Sequence, residues 1–170
     1  MIRVREAHVS DAAAMAEVNA AGWRAGFRGL VPPDYLDRLP VAQWRREISE
    51  GLRNPRGDSF TRIAELDGSF AGYCFVAAPS REQPDGSTRA ELVALYVDPE
   101  RWGRGVGRDL LSAALEEAAA RGYEAIELWT FEANERSLLL YKRAGFHLDG
   151  GRRPFPKTGT PTVRLSRPLP

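Results

Sequence analysis

The sequence contains few cysteines, histidines or lysines, and each shortage limits what the protein can be. Cys74 is the only cysteine, so no disulfide can form within the chain. His8 and His147 are the only histidines, and their wide separation predicts no metal site. Only two of the 24 basic residues are lysines, a bias typical of proteins from GC-rich bacterial genomes.

Long apolar runs and a strong net charge are missing as well. No run approaches the ~18 apolar residues of a membrane span, and the first residues lack the apolar core of a signal peptide, so a cytoplasmic location is expected. The formal net charge is +1, which predicts neither a nucleic acid nor a membrane as a partner. With 170 residues, 43% of them hydrophobic, the chain is expected to form a single domain over residues 1–170.

The most informative stretch covers residues 91–111. Residues 91–97, apolar apart from Glu91, predict a buried strand, and helical spacing of apolar residues begins after Gly103, Gly105 and Gly107. The first N–H groups of a helix lack intrahelical partners and carry the positive end of its dipole, and glycines leave room for an anion to approach them. The sequence therefore predicts an anion-binding loop between a strand and a helix.

Two common phosphate-binding loops can be tested by their spacing. A P-loop has Gly-x-x-x-x-Gly-Lys-Ser/Thr, and no lysine follows these glycines. A dinucleotide-binding loop has Gly-x-Gly-x-x-Gly. Gly103 and Gly105 supply its first two glycines, but Arg108 occupies the third position, while Glu124 lies near the expected acidic position. A dinucleotide-binding enzyme therefore stays open as an alternative.

From Trp102 to Gly107 the loop resembles the acetyl-CoA signature of the GNAT superfamily of N-acetyltransferases. In that family the loop amides hold the pyrophosphate of coenzyme A. Trp102 departs from the pattern, since the family usually has Gln or Arg there, but backbone N–H groups make most of the contacts. The resemblance implies these cofactor-binding residues: Trp102, Gly103, Arg104, Gly105, Val106, Gly107 and Arg108.

Residues 131–146 carry the same resemblance. Asn134 is placed to cap a short helix that Gly145 can end, and Asn134 and Tyr141 fall on one face of it. In GNAT enzymes an Asn opens this helix and a Tyr precedes Gly-Phe at its end. The resemblance implies that Asn134 contacts the pantetheine arm or the helix backbone and that Tyr141 is the general acid. Taken alone, Asn134 is equally a helix cap and Tyr141 a core aromatic.

The reaction implied by the resemblance is direct transfer of an acetyl group from acetyl-CoA to a primary amine, without a metal. The main chain of Leu95, Tyr96 and Val97 would pair with pantetheine and polarise the thioester carbonyl. Glu91 lies where some members of the family, notably histone acetyltransferases, carry a carboxylate base, and a water chain is the alternative base. A coenzyme-A-binding module without catalysis is a further alternative.

The acceptor is expected to be a small-molecule or peptide amine. In this family its specificity comes from segments corresponding here to residues 23–39 and 79–88, and Arg24 and Arg28 are candidates to hold an acceptor carboxylate. Relatives often form dimers, so a homodimer is also compatible with the resemblance.

The expected fold is α/β, or α+β in some classifications. It has a mixed central sheet of six or seven strands flanked by helices, with acetyl-CoA at the splayed central strands. Ser10 and Asp11 are expected to cap the first helix, and Gln43 to Leu52 to end a second one. Strands are predicted at residues 2–7, 60–66, 70–76, 91–97, 123–130 and 162–166, with a loop at 149–159.

Overall fold

A computed structural model describes residues 1–79 and 88–170, and these form a seven-stranded mixed sheet with helices on both faces. The strand order is β1-β2-β3-β4-β5-β7-β6, and β4 and β5 are parallel while the other five neighbouring pairs are antiparallel. The predicted mixed α/β sheet is thereby confirmed. The strands are β1 (Ile2–Glu6), β2 (Phe60–Leu66), β3 (Ser69–Ala77), β4 (Arg89–Val97), β5 (Ala125–Phe131), β6 (His147–Pro154) and β7 (Pro161–Pro168), and the helices are α1 (Ala12–Gly26), α2 (Pro33–Asp37), α3 (Val41–Arg53), α4 (Val106–Ala120) and α5 (Glu135–Arg143).

The two faces of the sheet have separate apolar cores. Because side chains alternate along a strand, Ile63 and Tyr73 pack towards α1 and α3, whereas Ala64 and Cys74 pack towards α4. Cys74 is fully buried, and burial raises the pKa of its thiol to about 12. A thiolate nucleophile is therefore disfavoured there.

The β2–β3 hairpin closes through Asp67 and Gly68, which have φ values of 53° and 81°. Two left-handed residues in a two-residue turn match the right-handed twist of the strands, as the Asp-Gly sequence predicts. The guanidinium of Arg101 donates hydrogen bonds to the main-chain oxygens of Leu66 and Ser69. The segment that follows β4 is thus anchored to the hairpin.

The parallel pair β4–β5 separates soon after it begins. Within the described residues the two strands pair at three positions, the last of them Glu91 with Glu127. Beyond Glu91, β4 continues to pair with β3, while β5 stays paired with β7 along its whole length. The sheet therefore opens between β4 and β5 at the carboxyl ends of these strands.

A bulge in β4 accompanies this opening. Leu92 is paired with Val76 and Ala94 with Phe75, so Val93 is an extra residue in β4. Val93 is also the most exposed residue of the strand, at 51%. Bulges bend a strand and increase its twist, which gives a physical reason for the divergence of β4 from β5.

One local prediction was wrong and another was right only in part. Residues 149–159 were expected to form a loop, but β6 extends to Pro154 and pairs with β7. The strand could not be recognised from the sequence, because β6 is an exposed edge strand and its residues are charged and rich in glycine. At the start of α1, Asp11 occupies the predicted N-cap position, but its side chain makes no capping bond to the helix. Ser10 is not a cap: His8 caps the preceding 3₁₀ turn, and the carboxylate of Asp11 accepts the main-chain N–H of His8.

Most of the segment 79–88, which was expected to contribute to acceptor specificity, lies outside the described residues. In the part of the chain that is described, no helix has the length and apolar character needed to traverse a bilayer.

Candidate active site

A cavity of about 350 Å³ lies at the carboxyl end of β4, beside the glycine loop, and is called here the loop cavity. It is lined by Arg101, Arg108, Arg136 and Arg143, and none of the described residues on its wall is acidic. A concave site with one sign of charge concentrates counter-ions, so this cavity favours an anionic ligand.

The glycines of the loop have distinct local roles. Gly103 and Gly105 have φ values of 75° and 89°, and Gly105 is the N-cap of α4. Both conformations are in the left-handed region, where glycine is unstrained. Gly107 is already helical, and a Cβ there would make an ordinary contact of 3.6 Å with Val97. The loop conformation thus requires glycine at 103 and 105, and the first amides of α4 open onto the loop cavity.

Trp102, the residue that departs from the family pattern, joins three elements. Its indole Nε1 donates a hydrogen bond of 2.9 Å to the main-chain oxygen of Val97, at the end of β4. The guanidinium carbon of Arg136, in α5, lies 3.4 Å from the centre of its ring. Trp102 therefore links the loop to the strand end and to the first turn of α5 through a hydrogen bond and a cation–π contact.

The main chain of β4 offers hydrogen-bonding groups to the opening. The N–H of Asp98 donates a hydrogen bond of 2.9 Å to the main-chain oxygen of Ala71. Asp98 and Ala71 are therefore a hydrogen-bonded pair of the β3–β4 ladder. Because bonded and non-bonded pairs alternate along an antiparallel ladder, the N–H and C=O groups of Val97 and Leu95 point away from β3. Those of Tyr96 point towards β3. Leu95 and Val97 are thus the two β4 residues whose main chain faces the gap beside β5.

Asn134 caps α5, which confirms the simplest of its predicted roles. Its Oδ1 accepts the N–H of Ser137 at 3.3 Å, and its Nδ2 donates to the Ser137 hydroxyl at 2.8 Å. Asn134 is 8% exposed, and it lines the loop cavity. The cap holds the start of α5 at the gap between β4 and β5.

Tyr141 lies about two helical turns after Asn134, on the same face of α5, and also borders the gap. Its ring packs edge-on against Phe146, and its side chain is buried. Burial raises the pKa of the hydroxyl well above its usual value, so the group keeps its proton at neutral pH. Within the described residues the hydroxyl makes no hydrogen bond.

A second cavity, of about 420 Å³, lies on the α1 side of the gap and is called here the aromatic cavity. Trp23, Phe27, Phe131 and Phe155 form its apolar wall, and Glu91 contributes a half-buried carboxylate. The residues that line both cavities are Phe27, Leu95, Tyr96, Asn134, Ser137 and Tyr141. The two cavities therefore meet where β4 and β5 separate.

The side chain of Tyr96 was missed by sequence reasoning, which assigned this residue only a main-chain role. Its hydroxyl accepts a hydrogen bond of 2.9 Å from the indole Nε1 of Trp23, and burial raises the pKa of Tyr96 to about 12. A Cβ at position 22 would lie 3.1 Å from the Tyr96 ring, so Gly22 makes room for it. Gly22, a glycine on the buried face of α1, was the one sequence feature that could have indicated a large side chain packed against this helix.

Three charged residues proposed from the sequence lie elsewhere. Arg24 and Arg28 are exposed and line neither cavity. Glu124 is exposed at the far end of α4, where its carboxylate accepts the N–H of Thr88 at 3.1 Å. An acidic residue that is to bind a ribose must face the loop, so Glu124 gives no support to a dinucleotide site.

Comparison with known proteins agrees with this geometry. An uncharacterized N-acetyltransferase, YuaI, from Bacillus subtilis is 28% identical over 84% of this chain and 78% of its own length. A mycothiol acetyltransferase from Cellulomonas flavigena is 33% identical over 84% of this chain, which spans less than half, 43%, of that relative.

The fold is also that of solved acetyltransferases. The PaiA N-acetyltransferase from Thermoplasma acidophilum, crystallised in complex with coenzyme A, superposes with a TM-score of 0.78 at 19% identity over 99% of both chains. Residues 23–146, more than half of the chain, match the model of the acetyltransferase (GNAT) family. The glycine loop, the parted strands and the Asn and Tyr of α5 all fall inside that match, and the chain belongs to the GNAT family of acetyltransferases.

Proposed function

We propose that the protein transfers the acetyl group of acetyl-CoA to a primary amine of a small molecule or peptide, and that residues 1–170 act as one acetyltransferase domain. The observation that carries the proposal is the meeting of two chemically different cavities at the gap between β4 and β5. An arginine-lined cavity suits the phosphates of a cofactor, and an aromatic cavity suits an organic acceptor.

The described residues fit coenzyme A on the loop side. The first amides of α4 and the glycine loop would hold the pyrophosphate. The main-chain groups of Leu95 and Val97 would bind the pantetheine arm as an added strand edge. Asn134 would fix the position of the arm from the start of α5. When bound there, acetyl-CoA supplies an activated thioester at the junction of the two cavities.

Tyr141 and Glu91 take complementary proton-transfer roles in this proposal. Tyr141 borders both cavities and retains its proton, so it can donate that proton to the departing sulfur. Glu91 lies on the wall of the aromatic cavity and would accept the proton that the amine must lose. The N–H of Leu95, which faces the gap, would stabilise the developing charge on the carbonyl oxygen.

Acetyl-CoA is expected to stabilise the protein against heat. At 100 times its dissociation constant it adds about 2.7 kcal/mol to the free energy of unfolding, which raises Tm by roughly 5–10 °C in a domain of this size. Thermal melts with acetyl-CoA, with NADH and without ligand test this. A shift with NADH and none with acetyl-CoA would reject the cofactor assignment. A shift without thiol release on adding amines would indicate a binding module.

Replacing Glu91 with Gln is expected to lower kcat about 100-fold at neutral pH, because general base catalysis contributes on this scale. The matched control is Glu124→Gln, a distant carboxylate that should leave kcat unchanged. An unaltered kcat in Glu91→Gln would assign proton removal to a water chain.

A further inference from the structure

The wall of the aromatic cavity opposite α1 is formed by β5, β7 and β6. Strand register places Phe131 beside Thr162 and Thr162 beside Arg153, so these three side chains share one face of the sheet. All three line the aromatic cavity. The guanidinium carbon of Arg153 lies 4.0 Å from the ring centre of Trp129, a further residue of this wall.

The arginines around Arg153 already have carboxylate partners. Arg152 pairs with Glu132, and Arg164 pairs with Asp149 at 2.8 Å. Among the described residues Arg153 forms no ion pair. It is exposed, as Arg24 and Arg28 are, but unlike them it lines the aromatic cavity, where its guanidinium stands over Trp129. An arginine stacked on an aromatic face keeps its five N–H donors in one plane, where they can bind a carboxylate in bidentate fashion.

The remainder of the cavity is suited to an apolar group. Phe27, Phe131, Phe155 and Trp23 form a cluster whose ring centres are 4.7–5.9 Å apart, with mostly edge-to-face contacts. Such a cluster is rigid and buries apolar surface efficiently. A cationic end and an aromatic end therefore bound the same space, next to the gap where the acetyl group would arrive.

We propose that the acceptor of this enzyme is an amine that also carries an oxyanion, either carboxylate or phosphonate, and an apolar group. Arg153 binds the oxyanion, and the aromatic cluster around Trp23 holds the apolar group. This inference rests on the proposed function. It assigns to Arg153, on β6, the role that sequence reasoning gave to Arg24 and Arg28.

A panel of related amines tests the acceptor class. Phenylalanine and its phosphonic acid analogue carry the oxyanion, whereas phenylalaninamide and 2-phenylethylamine lack it. Thiol release at saturating acetyl-CoA gives kcat/KM for each amine. We expect phenylalanine to exceed both neutral amines roughly 10- to 100-fold, the usual worth of a hydrogen-bonded charge pair. The phosphonate shows whether the site accepts oxyanions in general or carboxylates alone.

Arg153→Gln separates binding of the oxyanion from a general structural effect. It should lower kcat/KM for phenylalanine roughly 10- to 100-fold, mainly through KM, and leave 2-phenylethylamine unchanged. Arg153→Lys should recover part of the loss, because lysine restores the positive charge but not the planar guanidinium that binds an oxyanion in bidentate fashion. The control is Arg152→Gln, the adjacent arginine that pairs with Glu132, which should retain the preference of the wild type.

The inference is overturned if the neutral amines are acetylated as well as phenylalanine, or if Arg153→Gln lowers every amine equally. It is also overturned if acetyl-CoA raises Tm and no oxyanion-bearing amine of the panel is acetylated. Failure of the proposed function is distinguished from these outcomes, because acetyl-CoA would then not stabilise the protein at all.

Discussion

Replacing Tyr141 with phenylalanine is expected to lower kcat at least 100-fold and to leave the stabilisation by acetyl-CoA intact. The change removes one oxygen from a buried ring that packs against Phe146, so the shape of the core is retained. It also removes the proton donor proposed for the departing sulfur, and a positioned acid contributes roughly 10²- to 10⁴-fold. Single-turnover thiol release, with thermal melts in acetyl-CoA, measures the two effects independently.

Tyr96→Phe is the matched comparison, because Tyr96 also lines both cavities. Its hydroxyl accepts the indole N–H of Trp23, so its loss leaves a buried donor unpaired and should cost about 1–3 kcal/mol of stability. We expect kcat to fall less than in Tyr141→Phe. The opposite order, with Tyr141→Phe fully active and Tyr96→Phe impaired, would transfer the role of the acid to Tyr96.

Gly72→Ala is expected to cause the largest loss of stability among the glycine substitutions considered. A Cβ on Gly72 would lie 2.5 Å from the main-chain oxygen of Tyr96 and 3.0 Å from the Cα of Val97. These are backbone atoms, which cannot move aside as a flexible side chain would, so β3 and β4 must separate. Overpacking of this kind costs about 3 kcal/mol, and urea unfolding monitored by circular dichroism measures it.

Gly51→Ala makes the same chemical change but is expected to raise the free energy of unfolding. Gly51 lies inside α3, and a Cβ there would contact nothing within 4 Å. Alanine in a helix interior is about 0.5–1 kcal/mol more favourable than glycine, so this variant should gain stability. If Gly72→Ala unfolded at the urea concentration of the wild type, the close approach of Gly72 to β4 would be contradicted.

The unit formed by β4, the glycine loop and α4 could be predicted from the sequence because its information is local. An apolar run, three glycines and a helical period follow one another within residues 91–111, and each has a conformational meaning of its own. Asn134 and Tyr141 could be predicted for the same reason, since Asn134 caps the short helix that contains Tyr141. The catalytic roles given to Tyr141 and Glu91 remain predictions.

The acceptor side could not be predicted, because it depends on contacts between distant parts of the chain. The hydrogen bond from Trp23 to Tyr96 joins residues 73 positions apart, and no local sequence pattern predicts it. Arg153 was assigned to a loop because β6 is an exposed, charged edge strand with a register shift between Leu148 and Arg152. Its position beside Trp129 follows only from the order β5-β7-β6.

The distribution of indole rings has an optical consequence. Of the four tryptophans, Trp102 lines the loop cavity, Trp23 and Trp129 line the aromatic cavity, and the ring centre of Trp44 lies 6.3 Å from that of Trp23. Every tryptophan therefore lies on the wall of one of the two cavities or beside a tryptophan that does. The native chain carries its own fluorescent reporters, and a Trp102→Phe substitution would leave only the tryptophans on or beside the aromatic cavity.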